Sequence, residues 1–166
     1  MKKILLISDS HFYTDQQLLD RAMQADELWH AGDWGDLTLS EQLTEKVKIR
    51  GVYGNIDSHI IRKCYPKELF FEVEGLKVYM THIGGYPGRY HKEIKQKLEK
   101  LKPDLYICGH SHILKIVRDK KLNLMHFNPG AIGNKGFHKK RTCIDFIIDN
   151  GTISDVKVLE YEKNYN

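Results

Sequence analysis

Five short apolar runs in this chain each end in a side chain able to bind a metal ion. Ile4 to Ser8 leads into Asp9-Ser10-His11, Leu28 to Ala31 into Gly32-Asp33, and Val52-Tyr53 into Gly54-Asn55. Val78 to Thr81 leads into His82, and Leu105 to Cys108 into Gly109-His110-Ser111-His112. Few folds satisfy such a pattern. Strands of a parallel or mixed sheet bring their carboxyl ends to one edge, where ligands collect in α/β proteins. Donors from distant parts of the sequence (Asp9, His11, Asp33, Asn55, His82, His110 and His112) then converge.

The intervening segments fit that reading. Gln16 to Ala25 has the composition of an amphipathic helix, Glu27 to Ala31 of a strand, about Leu39 to Lys48 of a helix, and Lys48 to Tyr53 of a third strand. This βαβαβ opening predicts a parallel sheet with covering helices. Glu68 to Val73 and Lys77 to Thr81 flank Glu74-Gly75, a hairpin signal. Tyr90 to Leu101 reads as a surface helix ending before Pro103, and Asp104 to Cys108 as a buried strand. After His112 the chain reads as a β-meander: Leu114 to Arg118, Leu122 to His126, then Thr142 to Ile148 and Thr152 to Glu160 around Asp149-Asn150-Gly151. The polar tail from Glu162 to Asn166 is expected to fray. With no linkers or repeats, residues 1–166 are expected to form a single domain of two facing sheets with helices outside.

Composition narrows the function classes. No apolar stretch approaches the ~20 residues of a membrane span. The apolar start Met1 to Ile7 is stopped by Asp9 and His11 with no small-residue cleavage site, so it reads as a strand and the chain as cytoplasmic. Cys64, Cys108 and Cys143 are scattered and odd in number, which fits reduced core or semi-buried thiols and argues against a zinc ribbon. A net charge of +4 suits an anionic substrate such as a phosphate ester, but falls short of a dedicated nucleic-acid groove.

The donor set mixes imidazoles, carboxylates and one amide, which suits divalent manganese, iron, zinc, cobalt or nickel. Two ions about 4 Å apart need a shared ligand, and a carboxylate bridges where an imidazole cannot. Asp33 is the natural bridge, because it sits between the two groups in sequence. Such a pair can generate a hydroxide at neutral pH and stabilise both oxygens of an in-line phosphoryl displacement. Taken singly, each motif is an ordinary surface pair or turn. Their joint occurrence at strand ends is what points to metal.

Asp9-x-His11, Gly32-Asp33-x-x-Asp36, Gly54-Asn55-x-Asp57, Thr81-His82 and Gly109-His110-Ser111-His112 resemble the five motifs of the calcineurin-like metallophosphoesterases, over roughly residues 4–132. The short length and Asn128-Pro129-Gly130 are similar to the small YfcE-type phosphodiesterase branch. The resemblance implies a four-layer α/β/β/α sandwich of two mixed β-sheets flanked by helices. It implies two divalent metal ions, manganese first, with Asp9, His11, Asp33 and His112 on one and Asp33, Asn55, His82 and His110 on the other. It further implies hydrolysis of small or nucleotide-type phosphodiesters by a metal-bound hydroxide, with Asp33, Asn55 and His82 as the catalytic residues. Asp36 and Asp57 are read as carboxylates standing behind the ligands.

Two positions depart from the family pattern. Ile56 stands where many relatives carry a proton-donating His, and Leu37 where protein phosphatases carry a phosphate-gripping Arg. Both departures argue against phosphoprotein phosphatase activity. His59 is a replacement acid, with a solvated loop His as the alternative, and Asn55 and Arg89 are the expected substrate contacts. Asn128 to Gly130 and Lys135 to Arg141 form a second rim or a solvated charge run. His30 reads as structural, while His91, His126 and His138 carry no pattern. The competing readings are a phosphomonoesterase and a non-catalytic protein-binding scaffold, as in the retromer subunit of this fold. The complete ligand set favours an enzyme, because Asp9 and Asp33 crowded together without metal would be costly. The expected partner is a small phosphodiester substrate, with no membrane and no dedicated nucleic-acid groove, and a homo-oligomer is left open.

Overall fold

The computed structural model describes residues 1–164 and contains two five-stranded sheets packed face to face. The first holds β1 (Lys2–Ile7), β2 (Glu27–His30), β3 (Lys48–Gly51), β9 (Lys140–Asp149) and β10 (Thr152–Glu162), in the order β10-β9-β1-β2-β3. The second holds β4 (Glu68–Val73), β5 (Leu76–Thr81), β6 (Leu105–Ile107), β7 (Leu114–Asp119) and β8 (Leu124–Pro129), in the order β4-β5-β6-β8-β7. Both sheets are mixed: β1-β2-β3 and β5-β6-β8 run parallel, and β9, β10, β4 and β7 each join antiparallel.

The continuous apolar run of β1 follows from its central place. Ile4 and Leu6 point into the layer between the sheets with Trp29, Val78, Met80, Leu105, Ile107, Phe127, Ile144 and Phe146. Leu5 and Ile7 point the other way, under α1 (Gln16–Ala22) and α2 (Thr38–Leu43), which bury Leu18, Ala22, Leu39 and Leu43 there. On the far side of the second sheet, α4 (Lys92–Leu101) lays Ile94 and Leu98 over Tyr79 and Tyr106. The layers are therefore helix, sheet, sheet, helix, as the resemblance implied.

Several sequence expectations are corrected. The segment after His112 is not one meander: β7-β8 is a hairpin of the second sheet and β9-β10 of the first, because β9 pairs with β1 in the register Leu6↔Ile144. The helix expected to reach Lys48 ends at Leu43, and a short helix, α3 (His59–Cys64), was not expected at all. Cys108 and Cys143 are buried free thiols, and Cys64 is exposed rather than in the core. Of the polar tail, Glu162 still belongs to β10 and Asn164 bonds Asn134 and Tyr13. Tyr165 and Asn166 lie outside the described residues.

Away from the donor edge, Glu27 is a buried charge with a defined partner. Glu27 is fully buried at the start of β2 and accepts hydrogen bonds from Arg50 Nε (2.7 Å) and Trp29 Nε1 (2.9 Å). Burial alone would raise its pKa, but the Arg50 and Trp29 bonds outweigh it and hold the carboxyl below its ordinary value. A depressed folded pKa contributes stability above the unfolded value of ~4.3, and that stability is lost as pH falls through the folded pKa. Glu27→Gln is expected to cost about 3 kcal/mol at pH 7, because it strands the Arg50 charge. The gap from wild type should close in acid. Urea unfolding across the carboxylate pH range measures it, and a gap independent of pH would show the charge of Glu27 to be irrelevant.

Candidate metal centre

All five apolar runs deliver their donors to the same edge. Asp9 and His11 follow β1, Asp33 follows β2, Asn55 follows β3, His82 follows β5, and His110 and His112 follow β6. Backbone bonds tie these loops together: Asp9 N–H to Gly32 O (2.9 Å), His11 N–H to Asp33 O (3.0 Å) and Gly109 N–H to His82 O (2.9 Å). Asp9, His11, Asp33, His110 and His112 all adopt left-handed backbone, with φ between 46° and 67°. Few residues other than glycine occupy that region, and clusters of such strain mark functional sites. The glycines of two motifs have a steric reason. A Cβ on Gly54 would lie 2.0 Å from Asp33 Oδ1, and one on Gly109 would lie 2.0 Å from Ser8 Oγ.

The donors form two groups, Asp9 with His11 and His112, and Asp33 with His82 and His110. Asp33 Oδ2 stands between them, 3.5 Å from His11 Nε2 and 3.2 Å from His82 Nε2, while its Oδ1 accepts from Ile56 N–H. Asn55 Oδ1 joins the second group, 3.1 Å from His82 Nε2 and 3.0 Å from His110 Nδ1. Asp9 Oδ2 accepts from Ser8 Oγ and His110 N–H, which leaves Oδ1 buried without a hydrogen-bond partner, as is His11 Nε2.

The ring nitrogens indicate what the centre is arranged to hold. His82 Nδ1 lies 2.8 Å from the Ala31 carbonyl, which only accepts, so Nδ1 carries the hydrogen. In a neutral ring, Nε2 then presents a lone pair to the oxygens of Asp33 and Asn55. Acceptors facing acceptors need a proton or a cation between them. Burial would lower the His82 pKa, yet Asp33 and Asp9 raise it above its ordinary value. Burial would likewise raise Asp9, yet the imidazoles of His11 and His112 beside it hold it far below the carboxylate range. Metal fits this donor set, with a carbonyl orienting one imidazole as outer partners of metal ligands usually do.

Behind the donors, Asp57 matters more than Asp36. Asp57 is buried and accepts three backbone N–H groups, from Asp33 (3.0 Å), Gly35 (2.9 Å) and Gly54 (2.7 Å). Asp36 accepts only from Thr38 N–H at the start of α2. Asn128 is buried, and its amide donates to Gly109 O and Ser111 Oγ, pinning the loop that carries His110 and His112. His30 is structural, stacked on Trp34, with burial lowering its pKa to about 3. At the second rim, Arg141 is buried against Asp15, Tyr13 and Tyr161 and is not a free cation.

The outer positions are less well drawn by sequence. His59 opens α3, and Arg89 sits on the loop after His82; both are exposed and line neither cleft beside the donors. Instead Arg62, Lys67, Lys92 and Lys97 line a cleft of about 670 Å³ that adjoins Asn55 and His82, with Glu68 and Glu93 as its carboxylates. Arg62 also donates to the carbonyls of Asp57 and Asn55, holding the Asn55 loop. It sits on the unforeseen helix, so no motif announced it. His138 was missed for want of any spacing signal. Its Nε2 lies 2.8 Å from Gly133 O and its Nδ1 3.3 Å from His112 Nδ1, so a neutral His138 accepts from His112 and turns His112 Nε2 toward Asp9.

Residues 1–151 match the family model of the calcineurin-like phosphoesterase superfamily domain. A probable metallophosphoesterase of Mycoplasma pneumoniae is 27% identical over 163 residues, covering 94% of this chain and 96% of the relative. The crystal structure of a predicted phosphoesterase from Streptococcus pneumoniae superposes with a TM-score of 0.73 at 23% identity, covering 99% of this chain and 93% of that one. Wild-type Vps29 of Entamoeba histolytica complexed with zinc gives 0.74 at 17% identity, covering 98% and 99%. At these identities the two structural likenesses bear on the fold alone.

Proposed function

The chain belongs to the calcineurin-like phosphoesterase superfamily, and from that premise we propose that it is a phosphodiesterase whose two donor groups hold a pair of divalent ions. The observation that carries this is the pair of triads meeting at Asp33 Oδ2, with Asp9 Oδ1 and His11 Nε2 buried and unpartnered beside them. Bound ions supply a nucleophile from water at neutral pH and neutralise the phosphoryl charge. Asp33 is shared between the two positions. Asp9, His11 and His112 complete one, and Asn55, His82 and His110 the other. The Asn55 amide nitrogen remains to donate to a phosphoryl oxygen, and the basic cleft lined by Arg62 and Lys67 suits an anionic ester. Manganese is the first metal to load. The free thiols fit a cytoplasmic setting.

Ile56 sets the substrate class in this reading. Its backbone N–H braces Asp33 and its side chain is 40% exposed, so a proton donor is missing where the leaving group departs. A positioned donor is worth about 10²–10⁴ in rate, and without one the leaving group must be good by itself. The test is metal analysis of the purified protein coupled to kcat/KM for a matched aryl diester and aryl monoester. Two ions per chain and a diester preference are expected, with chelator abolishing activity while far-UV circular dichroism holds. Ile56→His should shift the ratio toward the monoester. A wild type that strongly prefers the monoester would overturn the diesterase assignment.

A second observation favours the scaffold reading. Phe12, Ile56, Ile83 and Ile113 each follow a donor directly and are 56%, 40%, 37% and 62% exposed, an apolar collar of the kind that marks interaction surfaces. Absence of hydrolysis with every metal tried would leave that reading standing.

His138 carries a separate expectation. His138→Ala should weaken metal binding at the Asp9 group about 10–100-fold, the scale of losing an outer partner of a ligand. Calorimetric titration with manganese measures it. Unchanged affinity would show that His112 is oriented without His138.

A further inference from the structure

Ile56 brings no side chain that can meet a departing oxygen, yet a cation is fixed beside it. Arg62, on α3, donates from Nε to Asp57 O (2.8 Å) and from Nη2 to Asn55 O (3.4 Å). These are the carbonyls on either side of Ile56, whose own N–H goes to Asp33 Oδ1 (3.0 Å). The guanidinium carbon also lies 4.8 Å from the centroid of the Tyr53 ring, which steadies its plane. Arg62 lines the cleft of about 670 Å³ together with Asn55 and His82.

Bracing two carbonyls uses only part of this side chain. A guanidinium carries five N–H donors in a rigid fork and keeps its charge at every working pH. The two bonds engage Nε and Nη2, and Nη1 has no partner among the described residues. The charge is not neutralised either. Of the carboxylates in the cleft, Glu68 is taken by Lys97 and Tyr79 Oη, and Glu93 forms no ion pair among the described residues. Arg21, Arg50 and Arg141, by contrast, are each ion-paired, with Asp145, Glu27 and Asp15. We propose that Arg62 is a catalytic residue whose free Nη1 hydrogen-bonds the ester oxygen that leaves phosphorus. As the P–O bond breaks, its electron pair stays on that oxygen, and the departing anion meets a fixed positive charge instead of a proton. Water supplies the oxygen of the new P–O bond and gives its proton to solvent, while the guanidinium keeps all of its own. Donors aimed at charge that develops in the transition state work best when already held in place. Two carbonyls and the Tyr53 ring hold this one. The proposal rests on the phosphodiesterase reading of the donor groups.

Manganese-loaded wild type, Arg62→Gln and Arg62→Lys are assayed with methyl aryl phosphodiesters whose leaving phenols differ in acidity. Arg62→Gln should lose about 10²-fold in kcat/KM on the p-nitrophenyl ester, the scale of removing one such donor. The loss should grow as the phenol becomes less acidic, and stay constant with pH because a guanidinium does not titrate. Arg62→Lys, with the charge but not the fork, should fall between. A slackened Asn55 loop alone would slow every ester by one factor, so a leaving-group slope equal to that of wild type would overturn the role. Arg62 is exposed, and circular dichroism checks that both variants fold. If Arg62→Gln does not, Arg62→Lys decides by the same slope. If wild type hydrolyses no ester, the phosphodiesterase reading fails, and calorimetry with diphenyl phosphate tests the Arg62 contact alone. Arg62→Gln should then bind about tenfold more weakly, the scale of one hydrogen bond to a charged group. Equal affinities, or no binding to either protein, would overturn the proposal.

Discussion

Replacing Asp33 with Asn is expected to remove bound metal and hydrolytic activity together, with kcat/KM down by about 10³-fold or more, the scale seen when a group on which several others depend is removed. Asp33 Oδ2 faces a histidine of each triad, 3.5 Å from His11 and 3.2 Å from His82. An amide keeps the shape but loses the charge, and its NH₂ cannot serve as a ligand. The fold should be indifferent. Asn tolerates the left-handed φ of 59° at this position, and the Asp33 N–H bond to Asp57 does not involve the side chain being changed. Burial raises the Asp33 pKa, and the His82 hydrogen bond overcomes this to hold it below its ordinary value, so the wild-type group is ionised at neutral pH. Metal stoichiometry, kcat/KM and circular dichroism on one preparation decide the matter. A variant that keeps both ions and full activity would rule out the shared role.

The second large effect is expected at a residue that touches no ligand side chain. Asp57→Ala should destabilise the protein by about 3 kcal/mol, or roughly 10 °C in Tm, because three backbone N–H groups lose their acceptor at once. The donors are Asp33, Gly35 and Gly54, so the loops after β2 and β3 slacken together and metal affinity should fall with stability. Asp36→Ala is the control: it loses one N–H contact, at Thr38, and should cost under about 1 kcal/mol. Thermal melts of the two variants side by side give the comparison. Equal effects would mean that the Asp57 bonds are replaced by water.

The donors were legible because each lies within about five residues of the end of a strand, and parallel neighbours must end at one edge. What the pattern could not carry is anything decided between distant segments. Leu122 to His126 and Thr142 to Ile148 look alike locally; only pairing with β1 or β6 assigns them to different sheets. Helix α3 buries a single residue, Ile61, which is too little periodicity to read, and with it Arg62 went unseen. His138 acquires meaning from what faces it, the ring of His112. Arg89 on its loop and His59 at the start of α3 both lie outside the clefts beside the donors.

The place of β1 in its sheet also has a consequence in time. Its neighbours are β2, some twenty residues downstream, and β9, which begins only at Lys140. During synthesis one edge of this strand, with its apolar run Ile4 to Ile7, stays open until most of the chain has left the ribosome, at about 5–20 residues per second. Open edges recruit other strands, so the nascent protein is exposed for on the order of ten seconds to the association that the finished sheet prevents. Asp9 and His11 hang from that strand, and Asp9 O receives its N–H from Gly133, just ahead of β9. The loop that carries these two donors is thus braced only once the segment leading into β9 has arrived.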